Sequence, residues 1–398
     1  MKMKTGEFIA LSAATMMLTA LGIDIMLPVF GEVHRHFNLP ADSNVTAHIV
    51  TFFFLGQVAQ IIFGALSDRF GRLAILRIGF PLYIAGGIAA AYAPTIATMF
   101  AARFFAGVGA SAVFMTTIAG VRDRFVGDNM ARILSLIFTI FLSTPVLAPF
   151  LGLAIFSIGS WQMVFLTPPL FAVVIFIWSL RLEESHPMEK RAVLNITTLS
   201  QAIKDVVTNP VFLRYTGITT ILFAGLSSWV SSSQHIVSDI YHRPDLFAWV
   251  FAAMGLWMAI CTLTNARLSA RLGAKQTLRS LLIVYTCIAA LLLGSTWFLG
   301  SSPEMNVFFL GVALLMGLNL AIEPNSSALA MEPMGKYAGL ASAVYGTAFF
   351  FIGATLGSII SYLMKDTVLP LIISFFAIGI LTLALALSDT TARTGPAQ

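Results

Sequence analysis

Asp24, Arg103 and Glu323 are ionisable residues set inside stretches that are otherwise apolar. A carboxylate at bilayer depth costs about 2.5–3.5 kcal/mol on insertion scales. Such a group is kept when it faces a water-filled cavity and exchanges a proton there, or when neighbouring helices bond it as a structural acid. Asp24 lies about two-thirds along the first apolar run, with no second acid nearby. Glu323 precedes Pro324-Asn325-Ser326-Ser327. Proline removes a backbone donor and kinks a helix, and the freed carbonyls and polar side chains then tend to line a cavity. Glu323 is therefore either a second proton or cation site, or a structural acid bonded to Ser or Asn. Glu332 is expected at a helix end, in a structural role. Arg103 is the one basic residue inside a span. It either neutralises buried carbonyls or couples to the protonation of Asp24, with water or other groups between the two, since a direct ion pair would hold the acid charged.

These residues need apolar helices to hold them. The chain has 398 residues, 58% hydrophobic and 10% charged, against about 25% charged in a soluble domain. No soluble core absorbs so much apolar surface, so the bilayer must be the solvent. Apolar segments predict twelve transmembrane helices near 8–31, 46–66, 74–95, 97–120, 133–157, 162–180, 212–236, 247–266, 277–298, 305–328, 338–362 and 367–387. The fold class is all-α: no series of alternating ~10-residue segments suggests a barrel. The first segment is too long for a signal-peptide core and holds Asp24, so it reads as a retained span. Of 23 Lys and Arg residues, 19 fall on one side of this topology and three on the other. That bias puts both termini in the cytoplasm.

The polar stretch 182–210 divides the chain into residues 1–181, a six-helix bundle, and 211–398, a second bundle with a short tail. Its segment 198–209 is expected to form a short helix on the membrane surface. A sequence echo supports duplication. Residues 65–77 read ALSDRFGRLAILR, and 202 positions later residues 267–279 read RLSARLGAKQTLR, with six of thirteen positions identical. Gly64, Asp68, Arg69, Gly71 and Arg72 belong to the first copy, read as a loop between helices. Arg72 is one helical turn from Asp68 and is expected to reach both it and Asp123 at the end of helix 4. Such a cluster either latches the two halves when the cytoplasmic side is closed or only enforces topology. Ala270 replaces the acid in the second copy, so one latch of this kind is expected.

The chain resembles the major facilitator superfamily, and within it the twelve-span drug/proton antiporters of the bicyclomycin- and florfenicol-resistance type. The run Gly64–Arg72, GALSDRFGR, is similar to the superfamily signature between helices 2 and 3. Asp24-Ile25-Met26-Leu27-Pro28 resembles the drug-antiporter signature of helix 1, and Arg103–Ala110 that of helix 4. Pro145, Ala148-Pro149 and Gly152 resemble the antiporter signature of helix 5, though Ala148 and Leu153 stand where glycines are usual. Some relatives carry a further acid two turns before Asp24; here that place is near Met16. The resemblance implies the major facilitator fold of two six-helix bundles, coupling of Arg103 to Asp24, and an Asp68 that meets the N-terminal end of helix 11 near residues 334–338.

Other features point away from chemistry. No nucleotide-binding loop, HExxH, CxxC or nucleophile elbow appears, so an enzyme, a metal site and a cofactor are not expected. His235 reads as a satisfied polar residue, and His34 and His36 as loop residues. Cys261 and Cys287 read as packing residues, and Gly353-xxx-Gly357 as a close-packing surface. The tail from Asp389 is expected to be disordered. The combined expectation is a monomeric, proton-coupled exporter of lipophilic small molecules or drugs in a bacterial cytoplasmic membrane, with protons, substrate and lipid as partners and no nucleic acid. A dedicated metabolite or siderophore exporter has the same fold and remains the alternative.

Overall fold

A computed structural model describes residues 3–40, 44–125, 127–190, 196–299 and 303–389. Among them there is no strand. Eleven helices are long and apolar enough to cross a membrane: α1 (Thr5–His36), α2 (Val45–Phe70), α3 (Arg72–Ala91), α4 (Ile96–Arg124), α6 (Trp161–Ser179), α7 (Pro210–Ile240), α8 (Pro244–Leu272), α9 (Ala274–Thr296), α10 (Met305–Gly335), α11 (Leu340–Leu363) and α12 (Leu369–Leu387). Between α4 and α6 lies α5 (Gly127–Ile158), which includes the apolar stretch Ser143–Ile158. In a bilayer every backbone polar group must find an internal partner, which selects helices. The large apolar side chains left exposed, such as Ile62, Leu170, Leu263 and Leu310, then face lipid. Cys287 is exposed too, so it faces outward rather than packing inside as the sequence suggested.

The apolar core is split. One cluster gathers mainly residues of α1–α6, from Leu11 to Ile175. Another lies between Val206 and Ala386. The sequence echo reappears in three dimensions. Gly71 has φ +94° and Gly273 has φ +80°, the two positive-φ glycines among the described residues. Each amide donates to a serine carbonyl four residues back, Gly71 to Ser67 at 3.1 Å and Gly273 to Ser269 at 2.8 Å. Each glycine is a one-residue break that turns one long helix into the next, because a Cβ is strained at that φ and ψ. The run from Gly64 to Phe70 is therefore helical, not a loop.

Several helices are irregular at defined points. α1 breaks after Asp24 and passes through a 3₁₀ turn at Leu27–Val29, with Pro28 inside it. α2 tightens into a 3₁₀ turn at Gln57–Ala59. α7 and α11 widen into π turns at Ile236–Ile240 and Ala348–Ile352. α10 continues through Pro324 to Met331 without an interruption. The linker carries a helix at Ile196–Thr208. Asp389, expected to open a disordered tail, is instead buried and anchored. It accepts from Tyr215 Oη at 2.7 Å and pairs with Lys275 at 2.8 Å and Arg214 at 3.3 Å. Residues 390–398 of that expected tail lie outside the described residues.

Gly273 and Gly294 should respond oppositely to alanine. A Cβ meets nothing within 4 Å at either site, so backbone conformation decides. Gly273→Ala should destabilise by about 1–3 kcal/mol because of its positive φ. Gly294→Ala lies within a helix and should stabilise by about 0.5–1 kcal/mol. Thermal unfolding of the purified variants in detergent reads both signs; equal shifts would contradict the glycine-break assignment.

Candidate functional site

Asp24 ends the regular part of α1 and is 6% exposed. Among the described residues its carboxylate meets no hydrogen-bond donor and no cation. Two buried polar side chains, Arg103 and Tyr83, bond to backbone carbonyls. Arg103 is buried and stands over the Phe53 ring, 4.5 Å from its centroid. Its Nη2 donates to the Gly22 carbonyl at 2.5 Å, and its Nε to the Ile49 carbonyl at 3.4 Å. Tyr83 Oη donates to the Leu18 carbonyl at 2.8 Å. Arg103 thus ties α4 to α1 and α2, two residues before Asp24, without forming an ion pair with it. The break that follows Asp24 packs on α5, where a Cβ at Gly152 would overlap the Ile25 carbonyl. Another part of α5 faces the opposite half: a Cβ on Gly255 of α8 would touch Val146 at 3.3 Å and Pro145 at 3.5 Å. Pro149 falls between these contacts, inside the continuous helix.

Glu323 sits in α10, past its midpoint toward Gly335. It accepts from Tyr345 Oη of α11 at 3.1 Å. Its polar neighbours on α10 bond within the second half: Asn325 Nδ2 to Asn265 Oδ1 at 2.8 Å, and Ser326 Oγ to the Tyr215 carbonyl at 2.8 Å. Asp24 and Glu323 are therefore separate sites. Glu332 is exposed near the end of α10, where its α-helical part gives way to a 3₁₀ segment.

The cluster at the α2–α3 break centres on Arg72. Its Nη1 donates to Asp68 Oδ1 at 2.5 Å and to Ser67 Oγ at 2.9 Å, and its Nε to Asp123 Oδ2 at 2.9 Å. Arg69 lies over the neighbouring Phe70 ring instead, 5.2 Å from its centroid. A Cβ at Gly64 would reach the Ala343 side chain at 4.0 Å, so the end of α2 runs beside the start of α11. The Asp68 side chain is 54% exposed and is bonded to Arg72. Of residues 334–338, which the resemblance brings toward Asp68, the side chains of 336–338 lie outside the described residues.

Sequence reasoning missed the linker's part in this cluster. The Glu184 carboxylate accepts from the Arg72 amide at 3.0 Å and the Leu73 amide at 3.1 Å, capping the first turn of α3 where a helix presents unpaired donors and partial positive charge. Ser185 Oγ donates to Asp123 at 3.0 Å, and Arg124 Nη2 to the Glu183 carbonyl at 3.1 Å. Asp389 holds the corresponding place in the second half, after α12 and against Lys275 at the start of α9. The repeat would have paired these two acids; each reads in isolation as a solvated charge.

The halves also meet at the opposite face. Asn44 Nδ2 donates to Ser232 Oγ at 2.7 Å, and His48 Nδ1 lies 2.8 Å from Ser358 Oγ. His235 is held by Asp239 and the Lys365 carbonyl, both at 2.8 Å. His34 Nε2 lies 3.0 Å from the Pro40 carbonyl, and His36 packs on Trp161. No group of three or more potential metal ligands occurs among the described residues.

Comparison with known proteins places this architecture. The family model of the Major Facilitator Superfamily matches residues 12–358. The chain belongs to the major facilitator superfamily. It is a multi-pass membrane transporter, not an enzyme. It is similar to a bicyclomycin resistance protein homolog of Haemophilus influenzae, 27% identical over 369 residues, covering 91% of this chain and 90% of that one. It is also similar to the multidrug resistance protein MdtL of Escherichia coli, 27% identical over 352 residues and covering 86% and 85%. Among solved structures, a D-xylose–proton symporter superposes with a TM-score of 0.74 at 14% identity, covering 96% of this chain and 97% of that one. The xylose transporter XylE of Escherichia coli, partially occluded and inward-open, gives 0.73, also at 14% identity, covering 99% of each chain. At such identity these two show the fold.

Asp68 and Asp123 should contribute unequally. Asp123 is 19% exposed and takes bonds from both Arg72 and Ser185, whereas Asp68 is 54% exposed. Asp68→Asn should cost at most about 1 kcal/mol, as for exposed pairs. Asp123→Asn should cost about 1.5–3 kcal/mol, as for charge-assisted bonds. Cysteine labelling near the α2–α3 break should increase in both, and more in Asp123→Asn. The reverse order would remove Arg72 from the centre of the cluster.

Proposed function

We propose that this transporter is a proton-coupled exporter of lipophilic small molecules, working as a monomer by alternating access. Its place would be the bacterial cytoplasmic membrane, with both termini in the cytoplasm. The observation that carries this reading is Asp24: a buried carboxyl with no hydrogen-bond partner or cation among the described residues, at a break in α1, two residues after a carbonyl that Arg103 holds. A group so placed gains or loses a proton according to its access to water. A permanently paired structural acid would show a donor or cation at bonding distance, as Glu184 and Asp389 do.

The rest of the cycle follows from how the halves touch. Opening toward the termini would part the end of α2 from the start of α11. Opening the other way would part Asn44 and His48 from Ser232 and Ser358. In the first state a substrate enters and displaces the proton of Asp24 toward the cytoplasm. In the second it leaves, and a proton from outside replaces it. Arg103 would pass the protonation change on, because movement of Asp24 strains the Gly22 carbonyl it holds. Arg72 with Asp68 and Asp123 would set the balance between the two states; a shift of 1.4 kcal/mol in such a balance is tenfold in population. The names of the relatives, a bicyclomycin resistance protein homolog and a multidrug resistance protein, support a drug-like cargo.

Asp24→Asn should retain substrate binding and lose transport driven by a pH gradient. Proteoliposomes with an imposed gradient, compared with substrate binding in detergent, separate the two. Gradient-driven accumulation at the wild-type level by the variant would sink the proposal.

Glu323 permits a second check. Glu323→Gln should impair export of tetraphenylphosphonium, a cation, more than export of neutral triphenylphosphine oxide. A carboxylate at this depth gains most from a cationic ligand. Equal impairment of both would leave Glu323 as a structural partner of Tyr345.

A further inference from the structure

α2 and α11 cross between the two halves in antiparallel register. Gly64 lies opposite Ala343, a Cβ on Gly346 would meet Gln60 Oε1 at 2.7 Å, and Phe54 stacks on Phe350 with centroids 5.8 Å apart. Residue 57 of α2 therefore falls opposite residue 348. Both helices are irregular at this level. The 3₁₀ turn Gln57–Ala59 packs against the π turn Ala348–Ile352. Tight and wide turns of this kind are uncommon inside helices, and π turns are frequent at functional sites.

The wide turn carries two adjacent aromatic rings into the contact between the halves. Phe349 lies 4.1 Å from Phe223 of α7 by ring centroids, and Phe350 lies 5.3 Å from the same ring. Phe54 closes the group from the other half, 5.2 Å from Phe223. One turn along the same face of α2 lies Gln57, 1% exposed. Its Oε1 accepts from Gln60 Nε2 at 3.2 Å, while its own Nε2 has no hydrogen-bond partner among the described residues. A buried amide donor left unmet costs free energy comparable to a lost hydrogen bond. Here the unmet donor borders an aromatic cluster that joins the two halves, and that cluster must come apart whenever they separate.

We propose that this crossing is a substrate-recognition site: Phe54, Phe223, Phe349 and Phe350 take up an aromatic substrate between them, and Gln57 Nε2 donates to a hydrogen-bond acceptor on it. The substrate class is an aromatic molecule carrying a carbonyl or similar acceptor oxygen. The inference deepens the export reading and rests on it for the direction of transport, but not for binding. The acceptor satisfies the donor that the closed crossing leaves unmet, and the rings supply apolar area in offset and edge-on arrangements, which aromatic groups favour. The polar selector is therefore on α2, distant in sequence from Asp24 and Glu323.

The test compares benzophenone, which has a ketone acceptor, with diphenylmethane, of the same shape without one. Binding to purified full-length protein in detergent is read by calorimetry with no proton gradient, so failure of proton coupling cannot imitate failure of the site. Wild-type protein should bind benzophenone more tightly. Gln57→Leu should weaken benzophenone roughly three- to tenfold, the scale of one neutral hydrogen bond, and leave diphenylmethane unchanged. Phe350→Ala should weaken both. Retained diphenylmethane binding also reports that Gln57→Leu is folded; if that variant does not fold, Gln57→Met is read in the same way. The proposal is overturned if the wild type binds neither compound, if Gln57→Leu or Gln57→Met leaves benzophenone affinity unchanged, or if it weakens both compounds equally.

Discussion

A carboxyl group placed where water is excluded must either be paired or be able to shed its charge, and much of the first half is arranged around that constraint. Asp24 has no hydrogen-bond partner or cation among the described residues. Arg103 bonds instead to the carbonyls of Gly22 and Ile49. Tyr83 spends its hydroxyl on Leu18. These bonds satisfy backbone acceptors of α1 and α2, where a bilayer offers no water to do so. The same break needs room, which Gly152 provides against the Ile25 carbonyl. The antiporter-like residues of α5 thus support the α1 break on one side and touch α8 of the other half through Pro145 on the other.

The two halves repeat a plan without repeating its charges. Gly71 and Gly273 make the same break, and each half closes it with an acid that follows its sixth helix, Glu184 or Asp389. Both acids lie against the start of the half's third helix. Asp68 has no counterpart, because Ala270 stands in its place. The first half therefore carries an additional ion pair at the face where α2 and α11 run together, and its counterpart break is held by Asp389 with Lys275 and Arg214.

Much of this was legible in the sequence, for physical reasons. A run of about twenty apolar residues has one stable arrangement in a bilayer, so the helices and the doubled topology could be read directly. The Arg72–Asp68–Asp123 cluster could be read because helical spacing and a short connection bring those residues together. Three things could not be read. The Gly64–Phe70 run looked like a loop because charges cluster there, yet a helix continues until a residue must take positive φ. Asp389 looked like the head of a free tail because its partners, Arg214, Tyr215 and Lys275, are distant in sequence. The π turn of α11 adds a single residue to a turn, which leaves no mark in an apolar stretch, yet it decides where Phe349 and Phe350 point.

The central claim is that Asp24 exchanges a proton during transport, and infrared difference spectroscopy tests it most directly. Spectra of reconstituted protein, recorded as the pH is stepped through the working range, would follow the carbonyl stretch of protonated carboxyl groups without any added substrate. The account predicts a band that titrates in the wild type and is missing from Asp24→Asn while the other carboxyl bands remain. A wild-type spectrum with no Asp24-dependent band at any pH in that range would show a carboxyl that never changes its charge, and would contradict the account.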